Sequence, residues 1–118
     1  MQNEKVIELA VAELEELKAI DIEVIDVRDK SSVTDYMIVC SGTSRRHVMS
    51  IASKAEDELK EKSIVAISNE GHKSGDWVIV DLSDVVIHVL TTEARDLYDL
   101  EKLWRFDMKP AAIIKDSI

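Results

Sequence analysis

Residues 76–90 read DWVIVDLSDVVIHVL, and this stretch decides the fold. Two runs rich in Val, Ile and Leu, residues 76–82 and 84–90, lie on either side of Ser83. Such residues favour the pleated surface of a strand, and a break this short between two strands is typical of a tight turn. The stretch therefore predicts an antiparallel β-hairpin.

The first strand of this hairpin has two different faces, because successive side chains of a strand point to opposite sides. One face carries Trp77, Ile79 and Asp81, and the other carries Val78, Val80 and Leu82. The all-aliphatic face is the better candidate for the core, which leaves Trp77 and Asp81 facing outward. An outward Trp beside a carboxylate is typical of an interface anchor. The alternative is that a loop or helix of the same chain covers Trp77.

The other segments show helical and strand patterns in turn. Residues 5–18 repeat apolar side chains every three or four positions, which predicts an amphipathic helix. Residues 36–40 are continuously apolar, which predicts a central strand covered on both faces. Residues 41–44 end that strand, and the hydroxyl of Thr43 or Ser44 is suited to cap a second helix. Further strands are predicted at residues 20–28 and 63–67, an exposed loop at 68–75, and a third helix capped by Thr91 or Thr92.

These elements predict one domain of the α/β (α+β) class. Their order favours a mixed five-stranded sheet with three helices packed on it. A chain of 118 residues that is 46% hydrophobic is long enough to bury one core of ordinary size. Three glycines and one proline leave no flexible linker to divide it. We assign residues 1–108 to a single domain and residues 109–118 to a C-terminal tail.

The charge balance is acidic. Fifteen Lys and Arg against 24 Asp and Glu give a formal net charge of −9, which opposes approach to a phosphate backbone. Direct binding of nucleic acid is therefore not expected, and a partner of this surface should present Lys and Arg. The apolar runs are far shorter than the roughly 20 residues that cross a bilayer, and the N-terminus lacks a signal pattern. These features predict a cytoplasmic protein without membrane contact.

Side chains suited to metal binding or catalysis are few. His47, His72 and His88 lack the spacing that places two metal ligands on one helical face. Cys40, the single cysteine, lies in an apolar run, where a buried, reduced thiol is expected. The sequence therefore predicts no metal site, no cofactor and no catalytic residue.

A pair of residues on the third predicted helix forms another candidate site. Arg95 and Tyr98 are three positions apart, so they share a face of the helix. They form either a patch that faces a partner, or an ion pair of Arg95 with Asp81 or Asp99 beside a packed ring. The residues alone leave both alternatives open.

Several short motifs follow one another in a characteristic order through residues 5–106. They are KSS at 30–32, TDY at 34–36, GTSRRHV at 42–48, EG at 70–71, DW at 76–77 followed by Asp81, DVVIHV at 84–89, and RDLYDLEKLW at 95–104. Each motif is weak by itself, but the order and spacing are specific. In these residues the chain resembles the ribosomal silencing factors, also called Iojap-like proteins. One departure is Ser83, which stands where a glycine is common between the hairpin strands and which bears on turn geometry.

The resemblance implies a protein that binds the large ribosomal subunit through its ribosomal protein number fourteen, at the intersubunit face. Bound there, it would block association with the small subunit by its bulk and repress translation, without catalysis. The docking residues that the resemblance implies are Trp77, Asp81, His88, Arg95, Tyr98, Glu70 and Gly71. Trp77 is the expected apolar anchor, and Asp81 and Glu70 are the expected acceptors for Lys or Arg.

Three other motif residues are assigned to holding the fold. Asp35 is expected at the end of a strand, Ser44 at a helix cap and His47 in the first turn of that helix. Gly71, together with Glu70, is expected to shape the loop beside the docking residues.

Two other interpretations stay open. The family's sheet resembles that of nucleotidyltransferases, so the main alternative is a metal-dependent nucleotidyltransferase-like enzyme. Those enzymes bind metal ions with acidic residues two apart, whereas Asp76, Asp81 and Asp84 are spaced by five and three. A degenerate, non-catalytic relative is therefore favoured. The second alternative is a homodimer of the free protein, formed through the hairpin edge and the apolar patch around Trp77.

Overall fold

The structure is a computed structural model that describes residues 3–29, 34–71 and 75–98, with only the backbone of Tyr98. The predicted boundary at residue 108 and the tail at 109–118 lie outside these residues. The elements in chain order are α1 (Asn3–Glu16), β1 (Ile20–Asp26), β2 (Tyr36–Gly42), α2 (Arg45–Glu61), β3 (Ser68–Glu70), β4 (Trp77–Asp81), β5 (Val85–Thr91) and α3 (Thr92–Tyr98). None of the described helices is long and apolar enough to cross a membrane.

The five strands form one mixed sheet in the order β1-β2-β5-β4-β3. β2 and β5 pair in parallel along their whole length, from Tyr36 opposite Val85 to Gly42 opposite Thr91. The other three neighbouring pairs are antiparallel, including the β4–β5 hairpin. The predicted fold class, the five-stranded mixed sheet with three helices and the hairpin are therefore confirmed.

One face of the sheet is covered by α1 and α2. Both helices repeat apolar residues at helical spacing, so each buries one stripe against the strands. Their buried residues are Val6, Ala10 and Leu14 in α1, and Val48, Ile51, Ala52, Ala55 and Leu59 in α2. Val78 and Val80 of β4 face this layer and are fully buried, as predicted. Burial also raises the pKa of the Cys40 thiol to about 12, so the thiol stays protonated.

The opposite face carries a smaller apolar cluster. It consists of Ile25, Val27, Met37, Val39, Leu90 and Ala94, with Trp77 packed against it. Ala94 belongs to α3, which among the described helices is the one that contributes to this cluster. The sheet is therefore covered unevenly, and the β3–β4–β5 end of this face is less buried than the side under α1 and α2.

The residues assigned to holding the fold have that role in the structure. Ser44 is the N-cap of α2, and its hydroxyl accepts from the backbone N–H of His47. The His47 ring lies between the backbone N–H of Thr43 and the carbonyl of Leu17, which joins the start of α2 to the end of α1. The carboxylate of Asp35 accepts from the side chain of Asn3.

Two predicted boundaries were wrong. The third strand was predicted at residues 63–67, but β3 is Ser68–Glu70, which pairs with residues 79–81 of β4. The prediction rested on the apolar content of residues 63–67. The position of β3 is instead determined by its pairing with β4 and by the hydrogen bond from Asn69 to Glu56 of α2. Gly42 was expected to break β2, yet it is the last residue of that strand and pairs with Thr91.

Several turns place non-glycine residues in the left-handed region, where a β-carbon is unfavourable. Lys18 and Ser63 do so just after α1 and α2, with φ of 66° and 67°. Ser83 does so between β4 and β5, with φ of 82°, and its backbone N–H donates to the carboxylate of Asp81. A glycine at this turn would adopt the same conformation without this strain.

We therefore expect Ser83→Gly to stabilise the protein by about 1 kcal/mol, because it removes left-handed strain at an exposed site. Urea unfolding followed by circular dichroism measures the change. The matched control is Ser53→Gly on the exposed side of α2, which should destabilise the protein by about 0.5 kcal/mol. A loss of stability in Ser83→Gly would show that the turn is not strained.

Candidate protein-docking site

The candidate residues on β3, β4 and β5 lie on one side of the sheet, away from α1 and α2. We call this surface the hairpin face and define it by Glu70, Trp77, Ile79, Asp81, Val86 and His88. Strand register aligns Glu70 with Ile79 and Ile79 with His88, while Asp81 is opposite Val86. Since residues directly opposite each other share a face of the sheet, these side chains form one continuous surface.

Burial along β4 alternates as the sequence predicted. Val78 and Val80 are inside, whereas Trp77, Ile79 and Asp81 are half-buried. Part of the Trp77 ring packs on the cluster that contains Leu90 and Ala94. Trp77 was predicted to be either an outward interface anchor or a ring covered by its own chain. Each prediction fits part of the residue, because the fold covers one portion of it and leaves another accessible.

A hydrogen bond joins the two aromatic rings of the hairpin face. The indole Nε1–H of Trp77 donates to Nδ1 of His88 over 2.9 Å. The ring centroids are 5.8 Å apart and the planes are inclined by 46°. The bond runs diagonally across the hairpin, since Trp77 is opposite Leu90 and His88 is opposite Ile79.

His88 is buried, with 8% of its surface exposed. Burial lowers the pKa of His88 from its ordinary 6.5 to about 4, because a charged ring is poorly solvated there. A neutral ring with Nδ1 as acceptor carries its proton on Nε2. The bond from Trp77 is therefore compatible with the ring near neutral pH and incompatible with a proton on Nδ1.

Two carboxylates lie beside the aromatic pair. Asp81 is half-buried, and one of its oxygens accepts from the backbone N–H of Ser83 over 2.8 Å. Glu70 is exposed at the end of β3. Gly71 follows it with φ of 101°, and a β-carbon there would lie 2.1 Å from the carbonyl oxygen of Trp77. Only glycine fits this close approach, which fixes the backbone that carries Glu70 beside that of Trp77.

Arg95 lies apart from the hairpin face. Its guanidinium donates to the Ser41 hydroxyl over 3.1 Å and to the Ile20 carbonyl over 3.3 Å, and it lies 3.7 Å from the carboxylate of Glu23. An ion pair of Arg95 within the chain therefore exists, and its described partner is Glu23, whereas the predicted Asp81 lies elsewhere and Asp99 lies outside the described residues. The reason is topological, because Arg95 lies against β1 and β2, on the other side of β5 from β4.

Tyr98 ends α3, and its side chain lies outside the described residues. The side chain of Arg95 is 11% exposed, so it contributes little surface area. Arg95 and Tyr98 were predicted to share a face of the helix, and the structure describes the side chain of Arg95 only. That residue ties α3 to the first two strands.

A polar cavity of about 710 Å³ opens beside Arg95. Its lining includes Asp21, Glu23, Ser41, Thr92 and Asp96. Among the described residues, no group of three or more His, Cys, Asp or Glu side chains is arranged to hold a metal ion. The nucleotidyltransferase likeness stays a prediction.

The sequence analysis missed several neighbours of the predicted site. Val86 completes the apolar part of the hairpin face together with Ile79, which the sequence analysis had already placed beside Trp77. Strand alternation from His88 was the signal that pointed to Val86. Ser41 and Glu23 hold Arg95, and no sequence signal connects them to it. Contacts of this kind depend on how α3 crosses the sheet.

Arg95→Met should lower the free energy of unfolding by about 2 kcal/mol, because it removes charge-assisted hydrogen bonds from a mostly buried site. Urea denaturation measures this loss. Arg28→Met is the matched control, since the Arg28 pair with Asp26 is exposed and such pairs contribute little. Equal effects of the two substitutions would contradict the clamping role of Arg95.

The stability of the protein should also depend on pH through His88. The unfolded chain takes up this proton near pH 6.5, whereas the folded chain keeps the ring neutral down to about pH 4. The unfolded state binds more protons between these values, so the free energy of unfolding falls as the pH decreases through this window. The loss reaches roughly 3 kcal/mol at the lower end.

The measurement is the difference in unfolding free energy between the wild type and His88→Asn, taken from about pH 7 to about pH 4. Carboxylates titrate in both proteins and cancel in the difference. The wild type should lose more stability on acidification than the variant. Parallel pH profiles would show that His88 is not held neutral by the fold.

Comparisons with known proteins identify the family. The family model described as ribosomal silencing factor during starvation (RsfS) matches residues 1–117. The chain is 42% identical over 98 residues to the ribosomal silencing factor RsfS of Haemophilus influenzae, across 83% of this chain and 96% of that protein. A crystal structure of a Chromobacterium violaceum protein superposes with a TM-score of 0.85 at 40% identity, across 88% of this chain and 87% of that one.

A more distant relative is eukaryotic. The mouse protein named mitochondrial assembly of ribosomal large subunit protein 1 is 36% identical over 118 residues, which cover 95% of this chain and 52% of that protein. The match of the family model across nearly the whole chain and the closely superposing crystal structure agree with one another. This chain belongs to the ribosomal silencing factor family.

Proposed function

We propose that this protein represses translation by binding a protein of the large ribosomal subunit with its hairpin face. The observation that carries the proposal is a half-buried Trp77, held in the sheet, with the carboxylates of Asp81 and Glu70 on the same face. A large ring surrounded by polar groups is typical of an anchor at a protein interface. Membership of the ribosomal silencing factor family supports the ribosome as the partner.

The proposed partner within the large subunit is ribosomal protein number fourteen, at the intersubunit face. The name of the mouse relative refers to assembly of the ribosomal large subunit, which agrees with this choice of subunit. The described part of the chain measures 36 × 32 × 22 Å. Even its thinnest dimension far exceeds the roughly 3 Å that separates hydrogen-bonded atoms across an interface. Bound at that site, it holds the small subunit away from its contact by occupancy alone, without catalysis.

Each residue implied by the resemblance has a part in this proposal. Trp77 is the apolar anchor, and Asp81 and Glu70 accept hydrogen bonds from Lys or Arg of the partner. Gly71 shapes the backbone beside Trp77. His88, Arg95 and Tyr98 are the other residues that the resemblance implies. Arg95 acts through the position of α3, and Tyr98 makes a mixed apolar and polar contact.

The net charge agrees with a basic protein as partner. At −9, the chain is repelled by exposed phosphates and attracted to Lys and Arg. The main contact is therefore proposed to be with protein and not with RNA. We further propose that the protein acts in the cytoplasm and that its functional domain spans residues 1–108.

A second copy of the chain is the proposed partner in the free state. The apolar part of the hairpin face, Trp77 with Ile79 and Val86, is half-buried in the single chain. Pairing of two such faces removes apolar surface from water. A homodimer of this kind must dissociate before the same face binds the ribosome.

Sedimentation with isolated ribosomal subunits tests the docking proposal. The wild type should migrate with the large subunit and not with the small one. Trp77→Ala should weaken large-subunit binding at least about 30-fold, the effect expected from loss of an interface hot spot of roughly 2 kcal/mol. Circular dichroism establishes that the variant is folded.

Val24→Ala is the matched control, because Val24 is also a partly exposed apolar residue but lies on β1, at the other edge of the sheet. It should bind like the wild type. Absence of large-subunit binding by the wild type at low salt would contradict the function. Equal weakening by both substitutions would contradict the assignment to the hairpin face.

A further inference from the structure

We infer, on the basis of the proposed docking function, that His88 is a positioning residue, which fixes the orientation of the Trp77 ring for the partner and does not touch the partner itself. The two side chains are joined by the bond from indole Nε1–H to imidazole Nδ1. The donor belongs to a half-buried ring and the acceptor to a buried one. The buried His88 ring therefore positions the more exposed Trp77 ring, and not the reverse.

His88 is well placed to act as a fixed reference point. It lies in β5 between Val39 of β2 and Ile79 of β4, so strands on both sides hold its backbone. With 8% of its surface exposed, the ring has little area to offer a partner. Its packed surroundings also restrict the ring to one rotamer, because a change of rotamer requires space that a buried side chain lacks.

Trp77 needs such a reference point. An indole at the surface of a sheet has several staggered rotamers available to it in principle. The rotamer observed places Nε1 at 2.9 Å from Nδ1 of His88 and still packs the ring against the apolar cluster that contains Leu90. Rotamers that turn Nε1 away from His88 lose this bond, so the ring is held in one orientation before the partner arrives. Preorganisation of this kind increases affinity by reducing the entropy lost on binding.

The acceptor also persists under ordinary conditions. Burial holds the pKa of His88 at about 4, so Nδ1 keeps its lone pair near neutral pH. The side chain is thus a constant acceptor and not a switch in that range. An amide oxygen at the same position would serve the same purpose, which provides a conservative replacement.

Two variants separate positioning from packing. His88→Asn keeps an acceptor close to the place of Nδ1, and His88→Leu keeps apolar volume without an acceptor. The indole ¹⁵N–¹H resonance of Trp77 reports the hydrogen bond directly, and Trp104→Phe assigns it because the chain has two Trp residues. We expect His88→Leu to shift or broaden this resonance and His88→Asn to leave it close to the wild type.

Binding to isolated large ribosomal subunits provides the second measurement. His88→Leu should weaken binding about fivefold to tenfold, as expected from the loss of one hydrogen bond. His88→Asn should restore it to within about twofold of the wild type. In a Trp77→Phe background, which has no indole donor, His88→Leu should add no more than about twofold.

The outcomes distinguish the two proposals. If the wild type does not bind large subunits, the docking function fails, and the indole resonance still decides whether His88 orients the ring. If the wild type binds but His88→Leu changes neither the resonance nor the affinity, the positioning role is wrong. Equal weakening by His88→Asn and His88→Leu, undiminished in the Trp77→Phe background, would mean that His88 contacts the partner directly and would also overturn the inference.

Discussion

β5 lies between β2 and β4, and its parallel pairing with β2 is the constraint on which the other elements depend. Both strands are buried almost throughout, so each side chain must fit a layer above or below the sheet. One-residue slippage would exchange the two faces of β5 and place His88 among the residues under α1 and α2. The register thus determines at once which residues form the core and which form the hairpin face.

The two faces of the sheet are covered to different extents, and this difference connects the fold to the proposed function. α1 and α2 bury the side that carries Val78 and Val80, so the hairpin packs against the main core on that side. The other side keeps Trp77 and Asp81 half-buried at its surface. A docking surface built on strands is better defined than one built on loops. Beside this surface, the backbone of Gly71 lies close to that of Trp77, and the backbone N–H of Ser83 donates to one carboxylate oxygen of Asp81.

The sequence was informative where the pattern is local. Alternation in residues 76–82 predicted which side of β4 is buried, and the hydroxyl before residues 45–48 predicted the cap of α2. It was misleading where tertiary pairing decides, as in β3, whose polar residues Ser68–Glu70 form the strand that an apolar segment was expected to form. The partners described for Arg95 lie on β1 and β2, far away in the chain, and no local pattern encodes them. The bond from Trp77 to His88 is intermediate, since register places the rings near each other but does not determine their rotamers.

The separation of β2 from β5 along the chain affects how the protein is made. Tyr36 pairs with Val85, which is 49 positions later in the sequence. Pairing over such a distance must overcome the entropy of closing a long loop, so sheets of this kind form late in folding. During synthesis, α1, β1 and β2 emerge before β5 exists, and they lack their central neighbour until almost all of the described chain has been translated. A nascent copy therefore cannot complete its hairpin face before β5 has been synthesised, so shorter nascent chains lack the proposed docking surface.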